Sequence, residues 1–224
     1  MVGFMDRESL EYSLLAAICG KDGPFKLSRR YQKVRMAGPE LEPEDIVAEL
    51  VPQGLAARGE ELAKDFKTRH IRYTTLLSDD YPLMLKAIAD PPLLLFYSGA
   101  LQTLHRPAVA IVGSRKTSEY GRQVAHQLGG ELARLGFVIA SGLARGIDAR
   151  AHGACLEVKG RTVAVLGTGI DSIYPPENRN LAKEIVTSGG AVISEMPPGT
   201  APRPFHFPIR NRIISGLSHA TVVV

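Results

Sequence analysis

From residue 108 onward, apolar runs recur with the spacing of strand–helix units. They begin near Ala108, Phe137, Thr162, Ala191 and Ala220, at intervals of about 29, 25, 29 and 29 residues. Each interval fits one strand plus one crossover helix. Between the first two runs, Tyr120, Val124, Leu128, Leu132 and Leu135 share one helical face, and Gly136 is placed to stop that helix. The stretches "IDARAHGACLEVKG" and "NLAKEIVTSGG" repeat the pattern on a smaller scale. The strand candidates are nearly continuous in apolar residues, as in a parallel sheet covered on both faces. The expected fold class is therefore α/β, with a doubly wound, mostly parallel sheet.

The first half reads differently. Residues 6–69 predict short helices: "ESLEYSLLAAI" aligns Leu10, Leu14, Leu15 and Ile18, "PEDIVAEL" opens with proline and acids, and "GLAARGEELAKDFKTR" spaces Leu55, Leu62 and Phe66 helically. No G-x-G hairpin joins these helices, so packing or partner contact is favoured over DNA binding. Residues 71–107 carry Pro82, Pro91 and Pro92, with a short apolar strand expected at Leu93–Tyr97, and predict a structured connector. The expected domains are a small helical one over 1–70 and the α/β one over 71–224, with 71–107 as its lead-in. The sequence finishes on "ATVVV", inside an apolar strand. This reads as a sheet domain cut short, lacking at least one further strand–helix unit.

Open parallel sheets bind ligands where their strands end. After the first predicted strand comes Gly113-Ser114-Arg115-Lys116-Thr117. After the second comes "SGLARGID", with Gly142 and Arg145; after the third, "GTGIDSIYPPENR", from Gly167; after the fourth, "EMPPGTAPRPFHFPIRNR", with Arg203, Phe207, Arg210, Asn211 and Arg212. Glycines and cations thus gather on one edge. A dinucleotide turn is disfavoured: Ser172 stands where a third glycine belongs after Gly167 and Gly169, and no acid ends the second strand. Neither a P-loop nor a G-x-S-x-G elbow occurs. Asp148 and His152, four apart, fit a helix cap and a packed histidine better than a catalytic or metal pair. Phe205 and Phe207, in a proline-rich loop among arginines, fit either base stacking or the core.

Composition changes little: 45% apolar and 22% charged suits a globular domain. No run of 18 apolar residues suggests a membrane span, and "MVGFMDRESLEYSLL" lacks a secretory signal pattern. Cys19 and Cys155, far apart in predicted helices, read as small core residues in a reducing cytoplasm. Charge is more informative. Residues 1–70 hold 11 Lys/Arg against 12 Asp/Glu, residues 71–224 hold 16 against 11, and no acid follows Glu195. A basic excess in one domain suits an anionic partner, although ordinary surface charge would also produce it.

"AIVGSRKTSEYG", "SGLARGIDARAHGACLE", "AVLGTGIDSIYPPENRNLAKEI" and "FPIRNRIISGLS" together resemble the DNA-processing protein A family, also called DprA or Smf. The resemblance covers residues 71–224; residues 1–70 resemble only loosely that family's small helical SAM-like domain. It implies an extended Rossmann-like sheet, often dimeric, with no enzymatic activity and no cofactor or metal. It also implies a cytoplasmic protein that binds and protects incoming single-stranded DNA in natural transformation and loads the RecA recombinase on it. The DNA pocket would comprise the Gly113-Ser114-Arg115 turn, with Lys116, and the loop before Arg210-Asn211-Arg212, with Phe207 as the base-stacking ring. The family continues beyond this strand with a Gly-Ser-rich loop and a further strand–helix pair, sometimes followed by a winged helix. The alternative is a nucleotide-hydrolysing Rossmann-like enzyme using Asp148, Glu195 and Arg115 at the same edge. The Pro-Gly-Gly-x-Gly-Thr loop of such enzymes does not occur here.

Overall fold

The computed structural model describes residues 6–21 and 23–224. The opening Met1–Met5 of the stretch read for a secretory signal lies outside them. Packing divides the chain into two compact units, one of residues up to Tyr81 with Lys86–Leu95, the other of Pro82–Leu85 with Phe96–Val224.

The first unit is mainly helical: α1 (Arg7–Cys19), α2 (Gly23–Ala37), α3 (Pro43–Leu50) and α4 (Ala56–Thr68) precede β1 (Arg72–Thr75). Asp6 caps α1 by accepting the Ser9 amide at 2.9 Å. The predicted face of α1 is the buried one, with Leu10, Leu14, Leu15 and Ile18 all at 3% exposure or less. Pro43 enters α3 in its first turn, where Glu44 and Asp45 complement the helix dipole.

The second unit is a layered α/β structure. After α5 (Leu83–Lys86) and β2 (Leu94–Gly99), it alternates β3 (Ala108–Val112), α6 (Glu119–Arg134), β4 (Val138–Ser141), α7 (Ile147–Glu157), β5 (Thr162–Leu166), α8 (Arg179–Thr187), β6 (Ala191–Ser194), α9 (His206–Gly216) and β7 (Ala220–Val223). These strands run in the order β2-β6-β5-β4-β3-β7. β3 to β7 are parallel, registered at Ala108↔Val138, Ile139↔Thr162, Val163↔Ala191 and Val109↔Ala220, and β2 is antiparallel to β6. The chain steps outward from β3 to β6 and then returns past β3 to β7. Right-handed crossovers place α6, α7 and α8 on one face, and the reversal puts α9 on the other. Ile111, Ile139, Ala125, Ile147, Ala151 and Cys155 fill the core under α6 and α7. Ala164, Leu166, Val192, Ala182 and Ile185 fill it under α8.

Two expectations are corrected. The apolar stripe of α6 is packed only in its middle: Leu128 and Leu132 lie against the core, whereas Tyr120 and Leu135 are 76% and 75% exposed. The fully buried positions beside them are Gly121, Ala125, Gly129, Gly130 and Ala133. A Cβ on Gly129 would come within 2.8 Å of the Ala151 carbonyl of α7, so these two helices meet too closely for large side chains. Gly136 does end the helix, at φ +90°. The second correction concerns β7, where Ala220, Thr221 and Val223 are exposed. Among the described residues it stands at an edge of the sheet, paired with β3. Cys155 is buried and Cys19 partly so, both as free thiols.

Candidate nucleic-acid interface

The carboxyl ends of β3, β4 and β5 and the start of α9 build one cleft. After β3, Gly113 is required by close approach: a Cβ there would lie 2.7 Å from the Ile147 side chain. The Ser114 hydroxyl closes the turn on itself, accepting the Lys116 amide at 3.1 Å and donating to the Lys116 carbonyl at 2.8 Å. This closure presents Arg115 outward, its guanidinium carbon 5.2 Å from the centroid of the Phe207 ring. Ser118 then caps α6 by accepting the Gly121 amide.

The loop after β4 is held from both sides. Asp148 accepts the amides of Gly142 and Ala144 at 3.1 and 3.3 Å. It sits in the first turn of α7, and its carboxylate serves the preceding loop, whereas the sequence reading made it the helix cap; the cap position is Gly146. Arg210 donates to the Gly142 carbonyl at 2.8 Å and to the Val165 carbonyl. Its guanidinium lies where a Gly142 side chain would begin, which is why that position is glycine. Burial lowers the Arg210 pKa to about 10, which leaves it charged at neutral pH. Burial pushes the Asp148 carboxyl up, against the pull of the Arg210 charge and of the two amides. His152, one turn along α7, is fully buried and pairs with Thr162 Oγ1 at 2.6 Å.

Gly167, after β5, has no side chain because the Phe207 ring needs that space: a Cβ would come within 2.9 Å of it. The Gly167 carbonyl accepts Nδ1–H of His206 at 3.0 Å, and burial lowers that histidine's pKa. Tyr174 completes the aromatic wall, 5.7 Å from Phe207. Arg145 lies at the mouth, paired with Glu177. The cleft is lined by Arg115, Gly142, Ala144, Arg145, Tyr174, Pro175, Phe207 and Arg210.

The structure thus gathers Arg115, Gly142, Arg145, Phe207 and Arg210 at one site, with Gly167 beneath the ring and Gly113, Ser114 and Lys116 forming the turn that carries Arg115. Arg203 and Asn211 are exposed outside the cleft lining. Arg212 is turned away into an ion pair with Glu195, at 2.7 and 2.9 Å. Phe207 and the Arg210-Asn211-Arg212 run lie in α9, not in a loop. Pro208 does not prevent this, because a first-turn proline gives up only an N–H that the helix leaves unsatisfied. Phe205 is 51% exposed, edge-on to His206. Tyr174 escaped the sequence reading, although its place ahead of two prolines in a strand-end loop could have marked it.

Chemically, the cleft offers ring faces for a planar base and cations for phosphate, and no carboxylate lines it. Among the described residues no carboxylate pairs with Arg115 or Lys116. The alternative catalytic set is otherwise engaged, with Glu195 bound to Arg212 and Asp148 to loop amides. Among the described residues, no three His, Cys, Asp or Glu side chains gather as metal ligands, and no helix is long and apolar enough to cross a membrane.

The family model described as DNA recombination-mediator protein A matches residues 72–224. The chain is 44% identical over 170 residues to Protein Smf of Synechocystis sp., covering 73% of this chain and 42% of that protein. It is 44% identical over 160 residues to DNA processing protein DprA of Bacillus subtilis, covering 71% and 54%. The chain thus spans about half the length of these curated relatives. Among solved structures, DNA processing protein A from Streptococcus pneumoniae superposes with a TM-score of 0.67 at 34% identity, covering 96% of this chain and 75% of that one. DNA processing protein A from Helicobacter pylori, described for its single-stranded DNA binding mode, superposes at 0.61 and 32% identity, covering 69% of each chain. The fold, the strand-end motifs and these matches agree: the chain belongs to the DNA recombination-mediator protein A family, whose members are named DprA or Smf.

Proposed function

We propose that this protein binds single-stranded DNA through the cleft at the ends of β3, β4 and β5. The observation that carries this reading is Arg115 standing over the Phe207 ring beside Tyr174. A base stacked on the rings places its phosphate within reach of an unpaired guanidinium, and both contacts ignore base identity. The relatives' names support a role in processing DNA, and the Helicobacter pylori protein is described for binding single strands. In the cell, the protein protects DNA taken up in natural transformation and loads the RecA recombinase on it, acting in the cytoplasm as a homodimer without enzymatic turnover.

Titration of fluorescent oligo-dT against duplex of equal length, at two salt concentrations, tests the binding. Single strands are expected to bind more tightly, with affinity falling as salt rises. Tighter binding of duplex would refute the proposal. Recombinase loading is read separately, as faster RecA filament growth on the bound strand.

A further inference from the structure

Arg115 borders two cavities. One is the aromatic cleft; the other is an open hollow against the first turns of α6 and α7. We infer that this hollow is a second phosphate subsite for the same DNA strand, one that holds backbone without holding a base. The inference rests on the cleft's being a single-strand site.

The lining decides the ligand class. Arg115, Lys116, Arg122 and Arg150 supply four cations, and Thr117, Gly146 and Ala149 complete the lining. No aromatic ring and no carboxylate lines the hollow, so it has charge for phosphate and no platform for a base. Two carboxylates stand close by and reduce the charge. Glu119 Oε2 accepts both Nε and Nη2 of Arg122, at 2.9 and 2.5 Å, and Glu157 lies 3.9 Å from Arg150. Neither cancels the site. Glu157 is also held by His126 at 2.6 Å, and among the described residues Lys116 and Arg115 have no acidic partner. The Glu119 contact, with a further bond from Arg122 to the Thr117 carbonyl at 3.0 Å, holds the Arg122 guanidinium in place beside the turn.

Gly146 makes the juxtaposition possible. It adopts φ +80°, and a Cβ there would collide with the Ser114 carbonyl, so α7 can begin directly against the Arg115 turn. A strand leaving the cleft over Arg115 therefore meets Arg150 and Arg122 next. The side chains of both remain nearly half exposed, at 45% and 46%. In so open a hollow a free phosphate is weakly held, whereas a phosphate tethered to a base in the cleft is already local.

The test uses the full chain and oligo-dT of about 4 and about 16 nucleotides, lengths that bracket common single-strand site sizes. For Arg122→Gln/Arg150→Gln, the salt slope of log K with the long oligonucleotide should fall by about 1.4, two contacts' worth, and the short one should bind unchanged. Arg122→Lys/Arg150→Lys should recover most of the slope, which a merely structural role would not produce. If both lengths bind the wild type and the substitutions move neither, the second subsite is refuted and the cleft stands. If the wild type binds neither length, the cleft reading falls and this one with it. Equal losses for both lengths would also refute it. So would saturable binding of inorganic pyrophosphate that the Gln substitutions abolish while long-DNA affinity persists, because the hollow would then serve a free anion.

Discussion

At the scale of single residues, two buried or half-buried rings have opposite jobs. Phe207 covers Gly167, and its face beside Tyr174, over which Arg115 stands, is where a base would stack. Phe207→Ala is expected to weaken oligo-dT binding by about 1–3 kcal/mol and to change the melting temperature little. A large fall in melting temperature with unchanged affinity per folded molecule would assign the ring to the core. His152 is wholly interior. Thr162 gives its hydroxyl proton to the Ile139 carbonyl, so it accepts Nδ1–H from His152, and Nε2 has no partner among the described residues. A second ring proton would have no acceptor and would face the Arg210 charge; burial and that charge lower the pKa to about 3. The folded value lies below the unfolded one, so below about pH 6.5 the unfolded chain takes up a proton that the native chain refuses. This contribution to stability is complete above that pH and is lost toward about pH 3, at about 1.4 kcal/mol per unit. Unfolding measured from about pH 6 to 4 should therefore be less steep in pH for His152→Gln, by about one proton. Parallel curves for the two proteins would contradict this.

At the scale of elements, the α6–α7 contact shows where hydrophobicity misleads. Ranking by apolarity puts Tyr120 and Leu135 inside and the glycines outside, whereas close approach of two helices selects the smallest residues for the interface. Gly129→Ala sets two effects against each other. Alanine gains about 1 kcal/mol of helix propensity, but a methyl 2.8 Å from the Ala151 carbonyl costs about 1–3 kcal/mol of overpacking. Net destabilisation is expected in chemical denaturation, while Tyr120→Ser should stay within about 0.5 kcal/mol of wild type. The reverse order of effects would make Tyr120, and not Gly129, the packed position. The same contrast explains what was legible. β3 to β6 stand out because each is an apolar run that buried parallel strands demand, and Arg115 and Phe207 because strand-end loops are few. The roles of Arg210 and Arg212 were hidden. An arginine's burial has no periodic signature, and the Glu195–Arg212 pair exists only once β6 and α9 are placed. Tyr174 joins the cleft through its contact with the Phe207 ring, and that contact exists only once the loop after β5 and α9 are placed.

At the scale of the whole molecule, the cations along the sheet edge are not equivalent, and the salt dependence of binding should show it. A phosphate contact on single-stranded DNA releases counterions worth a slope of about 0.7 in log K against log salt. Arg115 is exposed, unpaired and beside the ring, so Arg115→Ala should lower affinity for all sequences and reduce the slope by about 0.7. Arg115→Lys should recover the slope but only part of the affinity, since lysine keeps the charge and loses the two-pronged geometry. Arg212 has the same formal charge and is spent inside the fold. Its partner Glu195 is 2% exposed, so Arg212→Ala takes a two-bond ion pair from a buried carboxylate and should lower stability in chemical denaturation. The molecules that remain folded should bind with the wild-type slope. Arg134 closes α6, 16 residues or roughly 24 Å of helix from the turn, and Arg134→Ala should alter neither quantity. Three arginines thus separate into one that moves affinity and slope, one that moves stability alone, and one that moves nothing. If all three lowered the slope equally, the basic excess would act as a diffuse field over the surface, and the cleft would lose its claim to the strand.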